Sequence, residues 1–323
     1  MKKLLKAAVA VSVALACTPA FAGKNDKNEV FSSSTFKAME LRNIGPAYMS
    51  GRIADIAVDQ NNPSTWYTAV GSGGVWKTTN AGTTWTPIFD DQPVYSIGDV
   101  TIAPSNSNII WVGTGENNGG RHISFGDGVY KSLDGGQTWK NMGLKKSEHV
   151  SDIIIHPTNP DIVWVSAQGP LWSGGGERGL YKTTDGGETW KQVLKPADEW
   201  TGVTSLLIDP RNPDKLYAAT WARQRSIGAY VGTNEGAGIH TSSDGGETWT
   251  ELKTGLPQGN MGKIGMAISP MNPDVIYATI ETDNRGGGFY RSADQGASWT
   301  KMSDEVGGGT GPHYYQEIFA DQH

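Results

Sequence analysis

Five of the loops in this chain together hold arginines and no lysines, and arginine in place of lysine indicates a particular chemistry. Five segments between short strand-like runs contain five of the nine arginines that follow residue 22, but none of the lysines. A guanidinium binds a carboxylate or phosphate through two parallel hydrogen bonds and stacks on aromatic rings, whereas a lysine ammonium acts as a point charge. The sequence therefore predicts an anion-binding surface, with candidate residues Arg52, Arg121, Arg178, Arg223, Arg225, Arg285, Trp172, Trp221 and Tyr314.

The same arginines have a second possible role, as braces within long loops. Acidic residues of these loops could pair with them, and ion pairing inside the protein is the commoner fate of a loop arginine. The acidic residues are Glu116, Asp127, Glu177, Glu235, Glu281 and Asp283. Ligand binding and bracing both stay open from the sequence alone.

Two of these carboxylates, Glu116 and Asp127, are weak candidates for catalysis. A glycoside hydrolase needs one carboxyl group as an acid and a second as a base or nucleophile, about 5 to 10 Å apart. No spacing in the sequence singles out such a pair. The histidines form no H-x-H or H-E-x-x-H arrangement, and the one cysteine is Cys17, so we predict no metal site and no cofactor.

A repeated unit must position these loops, because one eight-residue turn occurs five times at a spacing near fifty residues. Each copy reads S/T-x-D/N-x-G-x-T/S-W and follows an alternating run typical of a strand. The third side chain accepts hydrogen bonds from the turn's own N–H groups, the glycine permits a positive φ, and the tryptophan packs over the turn. We predict a structural role for Asn80, Trp85, Asp134, Trp139, Asp185, Trp190, Asp244, Trp249, Asp294 and Trp299.

A second repeated element, a turn rich in asparagine and proline, precedes each copy. Proline cannot donate to a sheet ladder, so this turn connects two strands, and each unit holds four antiparallel strands, A to D. We predict an all-β β-propeller of four-stranded antiparallel blades, five complete and a sixth begun. The blades span about 51–93, 96–144, 150–196, 202–257 and 262–303, and 314–323 begins a further blade, as expected for the N-terminal part of a longer propeller.

From residue 41 to residue 323 the chain resembles the BNR-repeat β-propellers, in which the eight-residue turn is called the Asp box. It most resembles bacterial exported proteins that carry a sortilin-like, VPS10-type propeller. The resemblance rests on residues 43–46, 51–53, 113–117, 126–131, 177–179, 209–213 and 218–221. It implies a propeller that captures peptides or proteins.

More distantly, the chain resembles sialidases and xyloglucanases, which also carry Asp boxes and imply a glycoside hydrolase acting on an extracellular polysaccharide. The arginine motif that opens the first sialidase blade is missing from residues 41–53. Xyloglucanases place a catalytic aspartate before a Gly-Gly pair in the loop between strands B and C of the first blade, where residues 69–74 here read AVGSGG. We therefore predict a recognition propeller for an anionic peptide, protein or acidic glycan, with a glycoside hydrolase as the alternative.

The first 22 residues have the pattern of a cleaved signal peptide. Three lysines flank or precede an apolar run too short to span a membrane, and Ala20, Phe21 and Ala22 form a small-x-small cleavage site. Cleavage there makes Gly23 the first residue, followed by a polar leader over 23–40, while a lipid-modified Cys17 is the alternative. Loss of three lysines changes the net charge from −6 to −9, which argues against a nucleic-acid partner. We predict a periplasmic or secreted protein without a membrane span.

Overall fold

The computed structural model describes residues 52–283, 287–306, 314 and 316–321, which form 22 β-strands and no α-helix. The predicted signal peptide, the polar leader, residues 41–51, Arg285 and the other residues of 307–323 lie outside the described residues. The strands are β1 (Ile53–Val58), β2 (Trp66–Val70), β3 (Gly74–Thr78), β4 (Thr86–Pro87), β5 (Ile97–Ile102), β6 (Ile110–Thr114), β7 (Val129–Ser132), β8 (Lys140–Asn141), β9 (Val150–Ile155), β10 (Val163–Ala167), β11 (Gly179–Thr183), β12 (Lys191–Leu194), β13 (Thr201–Asp209), β14 (Asn212–Ala222), β15 (Gln224–Arg225), β16 (Tyr230–Val231), β17 (Gly238–Ser242), β18 (Thr250–Leu252), β19 (Met261–Ile268), β20 (Ile276–Thr282), β21 (Gly287–Ser292) and β22 (Thr300–Ser303).

Twenty of these strands form five four-stranded antiparallel sheets. Each sheet is a meander of consecutive strands: β1 to β4, β5 to β8, β9 to β12, then β13, β14, β17 and β18, and finally β19 to β22. The remaining pair, β15 and β16, forms a small hairpin within the connection from β14 to β17. The predicted all-β architecture of four-stranded antiparallel units is confirmed.

The hydrophobic core lies between neighbouring sheets. One cluster joins Val75 of the first sheet to Val112 of the second, and corresponding clusters join each later sheet to the next. Because a middle strand is covered on both faces, every residue of β6 and of β10 is buried. Four-stranded sheets stacked face to face in this way are the packing of a β-propeller.

The eight-residue turns join the third and fourth strands of each sheet, and Asp134 shows their geometry. Its Oδ1 accepts hydrogen bonds from the N–H groups of Gln137 and Thr138, both at 2.9 Å, while Ser132 Oγ accepts from Gly136 N at 2.8 Å. Gly136 has a φ of 88°, a value that L side chains rarely adopt. The third side chain accepts in the same way in the other four turns, at Asn80, Asp185, Asp244 and Asp294.

The tryptophans of the turns follow two patterns. In the second and third sheets the indole N–H reaches the preceding sheet, from Trp139 to Ile88 O at 2.7 Å and from Trp190 to Met142 O at 2.8 Å. In the fourth and fifth sheets the indole N–H of Trp249 and Trp299 instead donates within its own turn. The indole N–H therefore bonds to the preceding sheet at Trp139 and Trp190 and within its own turn at Trp249 and Trp299.

The first strands of the sheets, β1, β5, β9, β13 and β19, pack side by side around the central axis. Aspartates on these strands bond to the main chain of the next sheet. Asp55 Oδ2 accepts from Val100 N at 3.2 Å, and Asp152 Oδ2 accepts from Leu206 N at 2.8 Å. These bonds hold neighbouring sheets together at the centre of the molecule.

Residues 316–321 do not form a strand. The segment lies beside β19, where Gln316 Nε2 donates to Lys263 O at 2.7 Å and to Thr279 O at 3.0 Å. A sixth blade that begins in this segment stays a prediction. Within the part of the chain that the structure describes, no helix is long and apolar enough to cross a membrane.

Candidate ligand-binding site

The candidate site lies on the side of the sheets opposite the Asp-box turns. We call this side the loop face, and it carries the β2–β3, β6–β7, β10–β11, β14–β17 and β20–β21 connections. The β2–β3 connection has only three residues, whereas β6–β7 runs from 115 to 128 and β14–β17 from 223 to 237. Long loops on a rigid scaffold are where binding groups usually lie.

Residues 116–120 of the β6–β7 connection, here called the crossing loop, are bonded to the first and third sheets by Glu116. Arg52 Nε donates to Glu116 Oε1 at 2.6 Å, and Arg52 Nη2 donates to Glu116 Oε2 at 2.5 Å. The carbonyl oxygen of Glu116 lies 3.0 Å from His149 Nδ1, so this nitrogen must carry the proton. Burial lowers the pKa of His149 well below its usual range, which keeps the ring neutral.

The crossing loop is also bonded to the fourth and fifth sheets. Arg223 Nη1 donates to Asn118 O, and Arg225 Nε donates to Gly119 O at 3.0 Å. From the fifth sheet, Lys263 Nζ donates to Asn117 O at 3.1 Å. One loop of the second sheet is thus tied to each of the other four sheets, and it lies across the loop-face end of the central axis.

Arg178 braces a different loop, the β10–β11 connection. It is 3% exposed and donates to the carbonyl oxygens of Gln168, Pro170, Ser173, Gly175 and Trp200. Burial lowers the pKa of this guanidinium to about 10, and the surrounding carbonyls still leave it charged at neutral pH. The structure therefore gives Arg178 the role of a brace.

The predicted arginines divide into two groups. Arg52, Arg178, Arg223 and Arg225 donate to groups of the protein, and Arg223 is fully buried. Arg121 is exposed and, among the described residues, has no hydrogen bond or ion pair. The bracing role describes the first group and leaves Arg121 as the cation presented to solvent, while Arg285 lies outside the described residues.

The predicted aromatic residues also divide. Trp221 is fully buried, and its indole N–H donates to Gly232 O at 2.9 Å. Its ring lies 5.8 Å from the Arg223 guanidinium and 5.3 Å from Lys263 Nζ, so it packs under the crossing loop. Trp172 is 48% exposed, and Tyr314 lies beside the crossing loop.

Five exposed or half-buried side chains lie on or next to residues 121–125, and three of them, His122, Phe125 and Tyr95, were not among the predicted binding residues. His122 Nε2 lies 2.9 Å from Tyr314 Oη, and partial burial followed by the Arg52 charge lowers the pKa of His122. Phe125 is 67% exposed, and Tyr95 is 57% exposed with its hydroxyl 3.1 Å from Ser124 Oγ. We call the set Arg121, His122, Phe125, Tyr95 and Tyr314 the aromatic patch.

The two candidate catalytic carboxylates are both engaged. Glu116 is fully buried, is paired with Arg52, and accepts a further bond from Asn118 Nδ2 at 2.6 Å. It cannot give a proton to a substrate without first breaking these bonds. Asp127 Oδ2 accepts from Tyr130 Oη at 2.8 Å, while its buried Oδ1 accepts no hydrogen bond. The β2–β3 connection supplies no carboxylate, since it consists of Gly71, Ser72 and Gly73.

A metal site is equally unsupported by the described residues. They contain no group of three or more histidine, cysteine, aspartate or glutamate side chains close enough to hold a metal ion. The candidate site is the aromatic patch, in which Arg121 directly follows the crossing loop.

Residues 127–240 match the Sortilin-Vps10 protein-family model, described as sortilin, neurotensin receptor 3. This stretch runs from the end of the β6–β7 connection to β17, and so through the third sheet and most of the fourth. The predicted resemblance to sortilin-like propellers is confirmed.

The chain is also similar to xyloglucanases. It is 28% identical to a xyloglucanase of Paenibacillus sp. over 186 residues, covering 57% of this chain and 17% of that protein. An ancestral GH74 enzyme matches 83% of this chain with a TM-score of 0.62 at 20% identity, over 33% of its own length. The GH74 xyloglucanase of Xanthomonas campestris matches 77% with a TM-score of 0.56 at 17% identity, over 38% of its length. The chain thus spans less than two fifths of each of these proteins, and the structural matches show the propeller fold.

Proposed function

We propose that this protein is an exported recognition propeller without catalytic activity, which binds an anionic peptide, protein or acidic glycan on its loop face. The observation that carries the proposal is the placement of Arg121. Its guanidinium is exposed and has no partner among the described residues, while Arg223 and Arg225 donate to the crossing loop. Arg121 follows the crossing loop directly, so the bonds of that loop to four sheets hold its backbone in place before a ligand arrives.

The aromatic patch supplies the rest of a binding surface. Phe125 and Tyr95 present exposed rings, and rings of this kind stack on sugars or pack against peptide side chains. The pKa of His122 is lowered, so at neutral pH the ring is uncharged and acts as a hydrogen-bonding group. Arg121 is then the cation that selects for a negative ligand, and the match to the sortilin family supports a role in capture.

A glycoside hydrolase is the second candidate, because the chain is similar to xyloglucanases. If the protein hydrolyses a glycan, Asp127 is a better acid or base than Glu116. Among the described residues nothing donates to Asp127 Oδ1, whereas Arg52 donates to both carboxylate oxygens of Glu116. The engaged state of Glu116 and the absence of a carboxylate between β2 and β3 weigh against this candidate.

Array screening followed by two arginine variants tests the proposal. The purified chain is applied to arrays of acidic glycans and peptides, and the affinity of the best ligand is measured by calorimetry. Arg121→Ala should weaken binding by about 5- to 150-fold, which corresponds to the loss of about 1 to 3 kcal/mol of a charged hydrogen-bonding contact, and leave the melting temperature unchanged. The matched control is Arg291→Ala, on β21 outside the loop face, which removes the same charge without affecting binding.

Two results would contradict the proposal. One is a ligand that binds Arg121→Ala and the parent chain equally well. The other is hydrolysis of xyloglucan or another glycan by the purified chain, if that turnover disappears in Asp127→Asn while the glycan still binds.

A further inference from the structure

A second candidate site lies on the central axis, away from the aromatic patch. A cavity of about 300 Å³ is enclosed by the first strands of all five sheets and by residues 316–320. Four acidic residues line it, one from each of β1, β5 and β9 and one from the last segment, and β19 contributes a lysine. They are Asp55, Asp99, Asp152, Glu317 and Lys263.

The lining of this cavity offers hydrogen-bond acceptors that receive no donor from the protein. Within the part of the chain that the structure describes, Asp99 Oδ2, Thr204 Oγ1 and Gln316 Oε1 have no hydrogen-bond partner. The three residues are 7%, 4% and 1% exposed, so solvent reaches them poorly. Buried polar atoms are nearly always paired, and leaving one unpaired costs about 1 to 3 kcal/mol, so the cavity favours a ligand that donates hydrogen bonds.

The charges of the cavity favour a positive ligand. Four carboxyl groups and one ammonium line the cavity, and Lys263 Nζ donates to the carbonyl oxygens of Asn117 and Tyr314. Burial, reinforced by neighbouring carboxylates, raises the pKa of Asp99 well above its usual range and that of Asp152 to about 8. A cation placed among such groups stabilises their charged forms and is itself bound more tightly.

The form of the cavity selects an organic cation over a metal ion. No three acidic or histidine side chains of the described residues form a group that could hold a metal ion, so the lining does not offer the ligand set of a metal site. The lining also includes apolar side chains, among them Leu207, Met266 and the 88% exposed Phe319. A charged head that donates several hydrogen bonds, attached to an apolar chain, matches this mixture of acidic and apolar side chains.

We propose that the central cavity binds a primary alkyl amine, with its ammonium group at Asp99, which combines a carboxyl group with an acceptor that receives no donor, and its alkyl chain against Leu207 and Met266. The ammonium has three donors, and three acceptors of the cavity lining lack one. The proposal does not depend on the function of the loop face, because the crossing loop separates the two sites and the ligands have opposite charge.

Calorimetry with n-hexylamine tests the proposal, and n-hexanol is the uncharged control of the same length. At pH 8.5 hexylamine should bind with one site per chain, and hexanol should bind at least tenfold more weakly. Asp99→Asn should weaken hexylamine binding at least tenfold, because the amide keeps the size of the side chain but loses the charge. Asp91→Asn, an exposed position outside the cavity, is the matched control and should bind as the parent chain does.

The pH dependence gives an independent measurement. The titratable groups lining the cavity are Asp55, Asp99, Asp152, Glu317 and Lys263, and β13 contributes no titratable side chain to the lining. Burial raises the pKa of each acidic group and lowers that of Lys263 to about 8, so the cavity gains negative charge as the pH rises. Hexylamine stays protonated below about pH 10, so its affinity should be at least tenfold higher at pH 8.5 than at pH 6.

Equal binding of hexylamine and hexanol would overturn the proposal, as would unchanged hexylamine affinity in Asp99→Asn. Absence of any hexylamine binding at pH 8.5 would overturn it as well. If Asp99→Asn does not fold, Thr204→Val serves in its place, because it removes one unpaired acceptor at constant volume. Unchanged affinity in that variant would then count against the proposal.

Discussion

Arg52 and Glu116 form a two-point contact between the first sheet and the crossing loop of the second, with the Glu116 side chain fully buried and the Arg52 side chain 22% exposed. Glu116 is one of the two carboxylates that the sequence offers as candidates for glycoside hydrolysis. Its geometry instead makes Glu116 the residue that anchors the crossing loop.

Glu116→Gln is therefore expected to affect folding. The amide cannot balance the Arg52 charge, and removing one partner of a buried ion pair costs about 3 to 5 kcal/mol. Urea unfolding measures this change, with Asp127→Asn as the comparison, because an asparagine oxygen can still accept from Tyr130 Oη. A Glu116→Gln chain as stable as its parent, but unable to hydrolyse a glycan that the parent hydrolyses, would restore Glu116 as a catalytic residue.

Trp139 and Trp85 occupy the same position of two Asp-box turns but should differ in their importance for stability. Trp139 bonds to Ile88 O and packs edge-on against Phe89 at 5.2 Å, joining two sheets. Trp85 is 38% exposed. We expect Trp139→Ala to lower the free energy of unfolding by about 3 to 5 kcal/mol and Trp85→Ala to lower it far less. Equal losses in chemical denaturation would show that the tryptophan acts within its own turn and not between sheets.

Acid should weaken the Asp-box turns at a defined pH. The hydroxyl and N–H of Thr138 and the Ser132 hydroxyl donate to Asp134 and lower its pKa to about 2. An aspartate in an unfolded chain titrates near pH 3.9, so this carboxylate stabilises the fold above about pH 4 and ceases to do so as the pH falls through about 2. Asp134→Asn should melt below the parent chain at pH 7, and the difference should shrink between about pH 4 and pH 2. A difference that is constant over this range in calorimetry would assign the effect to something other than the charge.

Export makes a prediction about the mature N-terminus. Protein recovered from the cell envelope should have the mass of a chain that begins at Gly23, because Ala20 and Ala22 mark the cleavage site. Intact-mass spectrometry measures this directly. A lipid-modified Cys17, or an uncleaved chain, would contradict it.

The sequence predicts the scaffold well because the residues that form each turn lie close together in the sequence of each repeat. A glycine with positive φ and a carboxylate that accepts from its own turn act within eight residues, so their positions mark the end of every third strand. The bounds of the fourth strands are less clear from the sequence, because these strands are short: β4 has only the residues Thr86–Pro87.

The role of the aspartates on the first strands of the sheets was not predicted, although the sequence contains a signal for it. Asp55, Asp99 and Asp152 each follow a small residue and precede isoleucine or valine, in the triplets 54–56, 98–100 and 151–153. The triplet recurs once per repeat in the first three blades. In this triplet the aspartate of β1 or β9 accepts a hydrogen bond from the main chain of the next sheet. The pattern of residues along a single strand does not reveal such a bond between sheets.

The fate of the arginines could not be predicted, because their acceptors are distant in sequence. Arg223 bonds to the carbonyl oxygen of Asn118, 105 residues earlier, and every residue type carries such an oxygen. An arginine in a loop therefore looks the same in sequence whether it faces solvent, as Arg121 does, or the main chain of another blade.

The crossing loop changes how this array should come apart. Repeats that contact only their neighbours can fray one unit at a time from either end. Here a few consecutive residues connect blades that are not adjacent, so loosening any one of them strains the same short segment. A single protease cut between residues 116 and 120 should release the five sheets from this shared restraint at once, turning gradual fraying into one cooperative opening of the array.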